Sequence, residues 1–437
     1  MRSGRALVEM TTGFLATLVA GLSLVLPINF AWTADSSVLQ LDLLAYSLPR
    51  AIAAGSIVAL VVAVFATTVN HALAAWGSAL FGIAIMFVNH LAGRHTDPAS
   101  SLSTLNFVDA IGAGILLGGI AVAVLYGRQQ VFGWTLGALT SVVVGVALPM
   151  PHGAAHTPGS DAVSPPTSDS PPQWLIVVTM LAIAWGTIVD RHRAGVERRS
   201  VELPMAPILA GALYIAVALF GAEWLARHGD DAVDIGLVAA ATVGAGFIAA
   251  MLLPRRDGTL VLLAVALSAV GSAIVPSSLP SWSAVPLAVV LALALLLGMR
   301  RPAPLAGLFA LAVVAFGTAL AGSGEHQPVR AAISAVLLSV LAGYCFGSAT
   351  PRYNPTRVLG VAIVFVPSVV MSLRDHVSHR DHTTVAVEDG HWQICPAPAV
   401  TSSAPAWTAL SIAVGCIIGL FLLRRWRAPT VAGPADQ

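Results

Sequence analysis

Apolar runs of about twenty residues alternate with short polar connectors from one end of this chain to the other. Fourteen such runs stand out, at residues 11–33, 51–69, 71–91, 106–126, 131–150, 173–189, 205–225, 232–253, 258–278, 282–299, 303–322, 329–348, 356–373 and 406–423. A helix rises about 1.5 Å per residue, so a run of this length reaches across the roughly 30 Å hydrocarbon core of a bilayer. The pattern predicts an all-α polytopic integral membrane protein with about fourteen transmembrane helices. The weakest boundary is Thr67–His71, a short polar interruption between the second and third runs. Without a turn there, every later connector would change sides.

The connector from Asp190 to Glu202, DRHRAGVERRSVE, fixes the orientation. It holds Arg191, Arg193, Arg198 and Arg199 between two spans, and basic loops are retained in the cytoplasm. Counting outward from it places both termini in the cytoplasm. All 22 basic residues are arginine, and 16 of them then fall on the cytoplasmic side. The arginines not used to set the orientation therefore agree with it. A charged fraction of 10% against a hydrophobic fraction of 57% excludes a soluble globular class, in which about a quarter of residues are charged. The expected location is the cytoplasmic (inner) membrane, multi-pass, with membrane lipids as partners and no nucleic acid.

The organisation read from this pattern has an N-terminal helical bundle over 1–190 and a basic cytoplasmic loop over 191–204. C-terminal helices follow over 205–427, with a flexible tail at 428–437. Two external connectors exceed a turn. Residues 151–172 are rich in Pro, Ser, Thr and Asp and read as a mobile loop. Residues 374–405 hold at most a short hairpin, with TTVAV as one strand. Gly114 and Gly118, four apart in the fourth run, suit close helix packing. Pro27 and Pro367 lie where they would kink spans near their external ends.

Four connectors repeat one form: a short arginine-bearing turn followed by a Leu/Ala/Val/Gly span. They are YGRQQVFGWTLGALTSVVVG (126–145), LPRRDGTLVLLAVALSAVGS (253–272), GMRRPAPLAGLFALAVVAFG (298–317) and PRYNPTRVLGVAIVFVPSVV (351–370). In this respect the chain resembles the major facilitator superfamily, in particular its fourteen-span branch, in outline over its whole length. The superfamily's charged turn after the second span is absent: TTVNHALAAWG stands there, and the nearest fragment, RRDGT, follows the eighth span. The resemblance implies two packed helical bundles and alternating access to a central cavity.

Few residues carry candidate chemistry. Asp109 opens the fourth run, where it reads either as a proton-coupling or cation-binding carboxylate or as a carboxylate stabilised by a helix N-terminus. His90 and Arg94, four apart, would line an external vestibule with Asp109, or simply sit at the interface; Asn70 lies at the inner end of the third run. Together Asn70, His90, Arg94 and Asp109 form the candidate substrate or proton pathway. Asp35 and Asp42 occupy the first external loop, the place where a membrane-embedded glycosyl or lipid-linked transferase would carry an acidic site. His376, His379 and His382 form a metal-like cluster, but interleaved Arg374 and Arg380 disfavour a cation. No P-loop, dinucleotide fingerprint or CxxC occurs, so no cofactor is expected. The reading favoured is a secondary transporter of a small solute or lipid-like molecule, with proton coupling open and enzymatic activity not expected. The alternatives are the transferase and a non-catalytic membrane scaffold.

Overall fold

The computed structural model describes residues 2–26, 38–93, 98–147, 170–190, 205–229, 231–254, 257–274, 279–321, 328–349, 351–373, 384–386, 392–394 and 403–427. Among them are fourteen α-helices, one for each apolar run. They are α1 (Arg2–Val25), α2 (Val38–Val69), α3 (Ala72–Gly93), α4 (Pro98–Val124), α5 (Arg128–Ala147), α6 (Gln173–Asp190) and α7 (Ala206–His228), then α8 (Ala232–Leu252), α9 (Gly258–Ile274), α10 (Ala284–Arg300), α11 (Pro304–Ala321), α12 (Pro328–Ser348), α13 (Asn354–Phe365) and α14 (Ala404–Trp426). Eleven helices are long and apolar enough to cross a membrane; α9 and α10 are apolar but shorter, at 17 residues each. The chain is a multi-pass membrane protein.

Large apolar side chains cover its outside, among them Phe220 at 74% exposure, Trp174 at 67% and Leu181 at 63%. Such a surface would drive aggregation in water, and it matches hydrocarbon in a bilayer. The turn at the weakest sequence boundary is present. Helix α2 ends at Val69, Asn70 adopts φ 51°, and α3 begins at Ala72. Asparagine is one of the few non-glycine residues that visit this left-handed region readily. His71 Nδ1 then accepts a hydrogen bond from the backbone N–H of Leu73 at 3.2 Å, satisfying one early amide of α3.

The order of packing repeats within the chain. In the first half α1 packs on α5, α2 on α4 and α3 on α6, and α1 also touches α4 and α6. Eight helices later α9 packs on α13, α10 on α12 and α11 on α14, and α9 also touches α12 and α14. The halves meet where α2 packs on α13 and α5 on α10, two contacts that exchange under the same shift. Helices α7 and α8 stand outside this repeat. They pack on each other, α7 also on α2 and α13, and α8 on α9 and α14.

Matching glycines allow the matching helices to close. A side chain at Gly114 or Gly118 of α4 would strike the backbone of Gly55 or Ala59 on α2. Gly343 and Gly347 of α12, also four apart, face Leu291 and Leu295 of α10 in the same way. Helix α13 stops at Phe365 and resumes over 369–373, with Pro367 between; Ser368 Oγ accepts from the Val370 N–H at 3.3 Å to start the second piece. Beyond it, β1 (Thr384–Ala386) pairs antiparallel with β2 (Trp392–Ile394), with Val385 opposite Gln393. This is the short hairpin read from TTVAV.

Candidate functional site

Helices α3 and α4 meet along Gly82, Gly112 and Gly119. A Cβ on Gly82 would lie 2.5 Å from the Leu116 nitrogen and 2.7 Å from the Gly112 carbonyl oxygen. That close approach leaves room between the backbones for only a few side chains, and two of them are ionisable. His90 is 1% exposed and Asp109 0% exposed, with His90 Nε2 3.3 Å from Asp109 Oδ1. The distance is within ion-pair reach, but neither oxygen of Asp109 makes a hydrogen bond of ordinary geometry among the described residues. Asn89 beside them donates from Nδ2 to the Leu105 carbonyl at 2.9 Å, tying the same ends of α3 and α4 together.

Asp109 is therefore not a helix-start carboxylate. Helix α4 begins at Pro98, so Asp109 lies about three turns inside it, beyond the reach of the first-turn amides. Residues 98–105, PASSLSTL, are too polar to read as part of an apolar run, so the pattern predicts a later start. His90 is packed inside, whereas Asn70 is exposed in the turn ahead of α3, whose first residue, Ala72, is about 27 Å from His90 by helix rise. Arg94 and Asp35 lie outside the described residues, and Asp42 falls within α2. His376, His379 and His382 also lie outside them, and no cluster of metal-ligating type occurs among the described residues.

A second polar cluster was not foreseen. Near the start of α1, Arg5 Nε donates to Glu9 Oε1 at 3.1 Å, and Arg5 Nη2 pairs with Asp190 Oδ1 at the end of α6. Trp76 Nε1, near the start of α3, donates to Asp190 Oδ2 at 3.1 Å, and Gln130 Nε2, near the start of α5, donates to Glu9 Oε2 at 3.0 Å. Glu9, Asp190, Gln130 and Trp76 are each under 5% exposed. Four helices are thus joined at one face of the bundle, with every carboxylate oxygen supplied with a donor. The Arg5–Glu9 spacing was visible in sequence as an i,i+4 pair. Nothing in it indicated a partner 185 positions away.

In the second half the corresponding contacts run through backbone groups. Asp257, in the α8–α9 turn, accepts from the N–H groups of Arg352 and Tyr353 at 3.0 and 3.1 Å, just ahead of α13. Burial pushes the Asp257 carboxyl above its ordinary range, against the lowering pull of those two amides and of Arg357. Arg357 donates to the Pro351 carbonyl at 2.7 Å, and Arg427, at the end of α14, to the Met251 carbonyl at 2.6 Å.

No family model matches the chain, and no curated protein matches it. Among solved structures, the chain is similar to a mutant of the peptide transporter POT in complex with sulfate. That match has 14% identity and a TM-score of 0.47, over 96% of this chain and 94% of that one. It is similar also to an auto-inhibited POT family peptide transporter, with 12% identity and a TM-score of 0.47 over 99% of each chain.

Proposed function

We propose that the protein is a secondary transporter that moves a small solute or lipid-like molecule across its membrane by alternating access. In this reading all fourteen helices span the bilayer and both termini lie in the cytoplasm. Helices α1–α6 and α9–α14 act as two bundles, and α7 and α8 are an added pair. The observation that carries the reading is the repeated packing order, together with the exchanging contacts α2–α13 and α5–α10. Two like bundles related by an axis along the membrane normal can rock about a shared seam and expose it to either side in turn. A scaffold has no need of that symmetry.

Asp109 and His90 are the groups assigned to energy coupling. A carboxylate in the membrane interior, within 3.3 Å of an imidazole and without ordinary hydrogen bonds, is costly to hold charged. One proton added to or removed from the pair changes its net charge, and with it the cost of burial between α3 and α4. Asn70 and Arg94 remain candidates for the two ends of the pathway. Away from the Arg5 and Asp257 junctions, the described interior presents hydroxyls, including Ser23, Ser56, Thr140 and Thr356, all under 7% exposed. That chemistry suits a weakly polar or lipid-like cargo.

Metabolite and lipid profiling of a deletion strain, followed by reconstituted transport of whatever accumulates, identifies the cargo. With that cargo, Asp109→Asn is expected to abolish pH-dependent uptake at unchanged membrane abundance. Uptake that keeps its full pH dependence in this variant removes Asp109 from the coupling scheme.

A further inference from the structure

Beside the Arg5 network lies a cavity of about 200 Å³ bounded by Arg5, Glu9, Trp76, Trp185 and Asp190 from α1, α3 and α6. The space is large enough for a small headgroup and opens to the outside of the bundle. Its described lining holds one guanidinium and two carboxylates, a formal charge of −1. Glu9 and Asp190 are 4% and 2% exposed, so this excess is only weakly screened by solvent. The charges that line the pocket itself therefore favour a cation over an anion. The walls include two indoles, which favour a soft organic cation over a hydrated metal ion. At the mouth, Val8, Trp185 and Val189 are exposed apolar side chains at the edge of the hydrocarbon zone, where an apolar tail can lie.

We propose that this pocket binds an ammonium group carried on an apolar body, entering from the leaflet on the Arg5 face. The ammonium can come from an aminophospholipid or from a free amphiphilic amine, and the same residues serve both. The site lies away from the Asp109–His90 pair and does not depend on the transport reading, only on the membrane setting. Occupancy adds a positive charge next to the junction of α1, α3, α5 and α6, offsetting the excess carboxylate there.

The test is native mass spectrometry of the full chain in a non-ionic detergent. The chain is titrated with dodecyltrimethylammonium, with laurate as the anionic control of similar chain length, and separately with phosphatidylethanolamine and phosphatidylglycerol. One retained ammonium ligand is expected, with no saturable laurate binding and at least tenfold weaker retention in Glu9→Gln and in Val189→Trp. Val189→Trp places bulk at the mouth without touching the network, so it decides the matter if Glu9→Gln fails to fold. Retention of phosphatidylethanolamine over phosphatidylglycerol assigns a lipid source, and retention of the free amine alone assigns a soluble one. Absence of ammonium binding, equal retention of laurate, or binding unchanged in Val189→Trp overturns the proposal.

Discussion

The two halves of the molecule share a packing order but hold their arginine-rich ends together by different chemistry. In α1–α6 the join is made of side chains: Arg5 between Glu9 and Asp190, with Gln130 and Trp76 completing the carboxylates. In the later helices it is made largely of backbone groups. Asp257 caps α13 through two amides, and Arg357 and Arg427 donate to carbonyls. What repeats is the geometry imposed by helix packing; the polar closure of each half is free to differ. Substitutions should separate these two layers.

The largest effect is expected at Arg5. Arg5→Ala leaves Glu9 and Asp190 buried without their shared cation, and breaking a buried pair costs about 3–5 kcal/mol. Because Arg5 is itself 45% exposed, a loss near the lower end, about 3 kcal/mol, is expected, read as a fall in thermal unfolding midpoint of the detergent-solubilised protein. An unchanged midpoint would mean that the side-chain junction is not what holds the first half together.

Next comes the shared geometry. Gly114→Leu and Gly343→Leu each drive a side chain into the backbone of the partner helix, at the expense of about 1–3 kcal/mol or more. The comparison predicts similar losses in the two halves by the same unfolding assay. A loss confined to one of them would break the equivalence of α2–α4 with α10–α12.

Asp257 should respond more gently. Asp257→Ala strands the Arg352 and Tyr353 amides and is expected to cost about 1–3 kcal/mol. Asp257→Asn keeps an acceptor and should cost less. The direction of the pKa shift gives a further check. A carboxyl held above its unfolded value of 3.8 contributes stability at low pH that is lost as pH rises through its folded value. Asp257→Asn should remove that component, so a melting profile from pH 4 upward that is identical in both proteins would contradict the assignment.

The helices were legible in the sequence because hydrophobic length is a one-dimensional signal. Every apolar run became a helix, down to the Thr67–His71 turn and the TTVAV strand. Boundaries set by polar residues were not legible in this way. PASSLSTL reads as a loop, yet it forms the first turns of α4 and carries Asp109 into the interior. The repeat was visible only as similar arginine turns, since pairing order depends on contacts between distant helices. The Arg5 junction stayed hidden for the same reason. Its members are single polar residues at the edges of apolar runs, each of which alone resembles an interfacial residue. His90 and Asp109 were both picked out by residue type, but their juxtaposition required the α3–α4 crossing.

Motion of the two bundles is the claim on which the functional account turns. Spin labels at Tyr126, ahead of α5, and Arg301, after α10, report the separation of the halves at the arginine-rich face, and both positions are exposed. Distance distributions from electron–electron double resonance in lipid nanodiscs at pH 6 and pH 8 are expected to show two populations. Their ratio should change with pH, and Asp109→Asn should freeze that ratio. A single narrow distance at both pH values would contradict alternating access between these bundles.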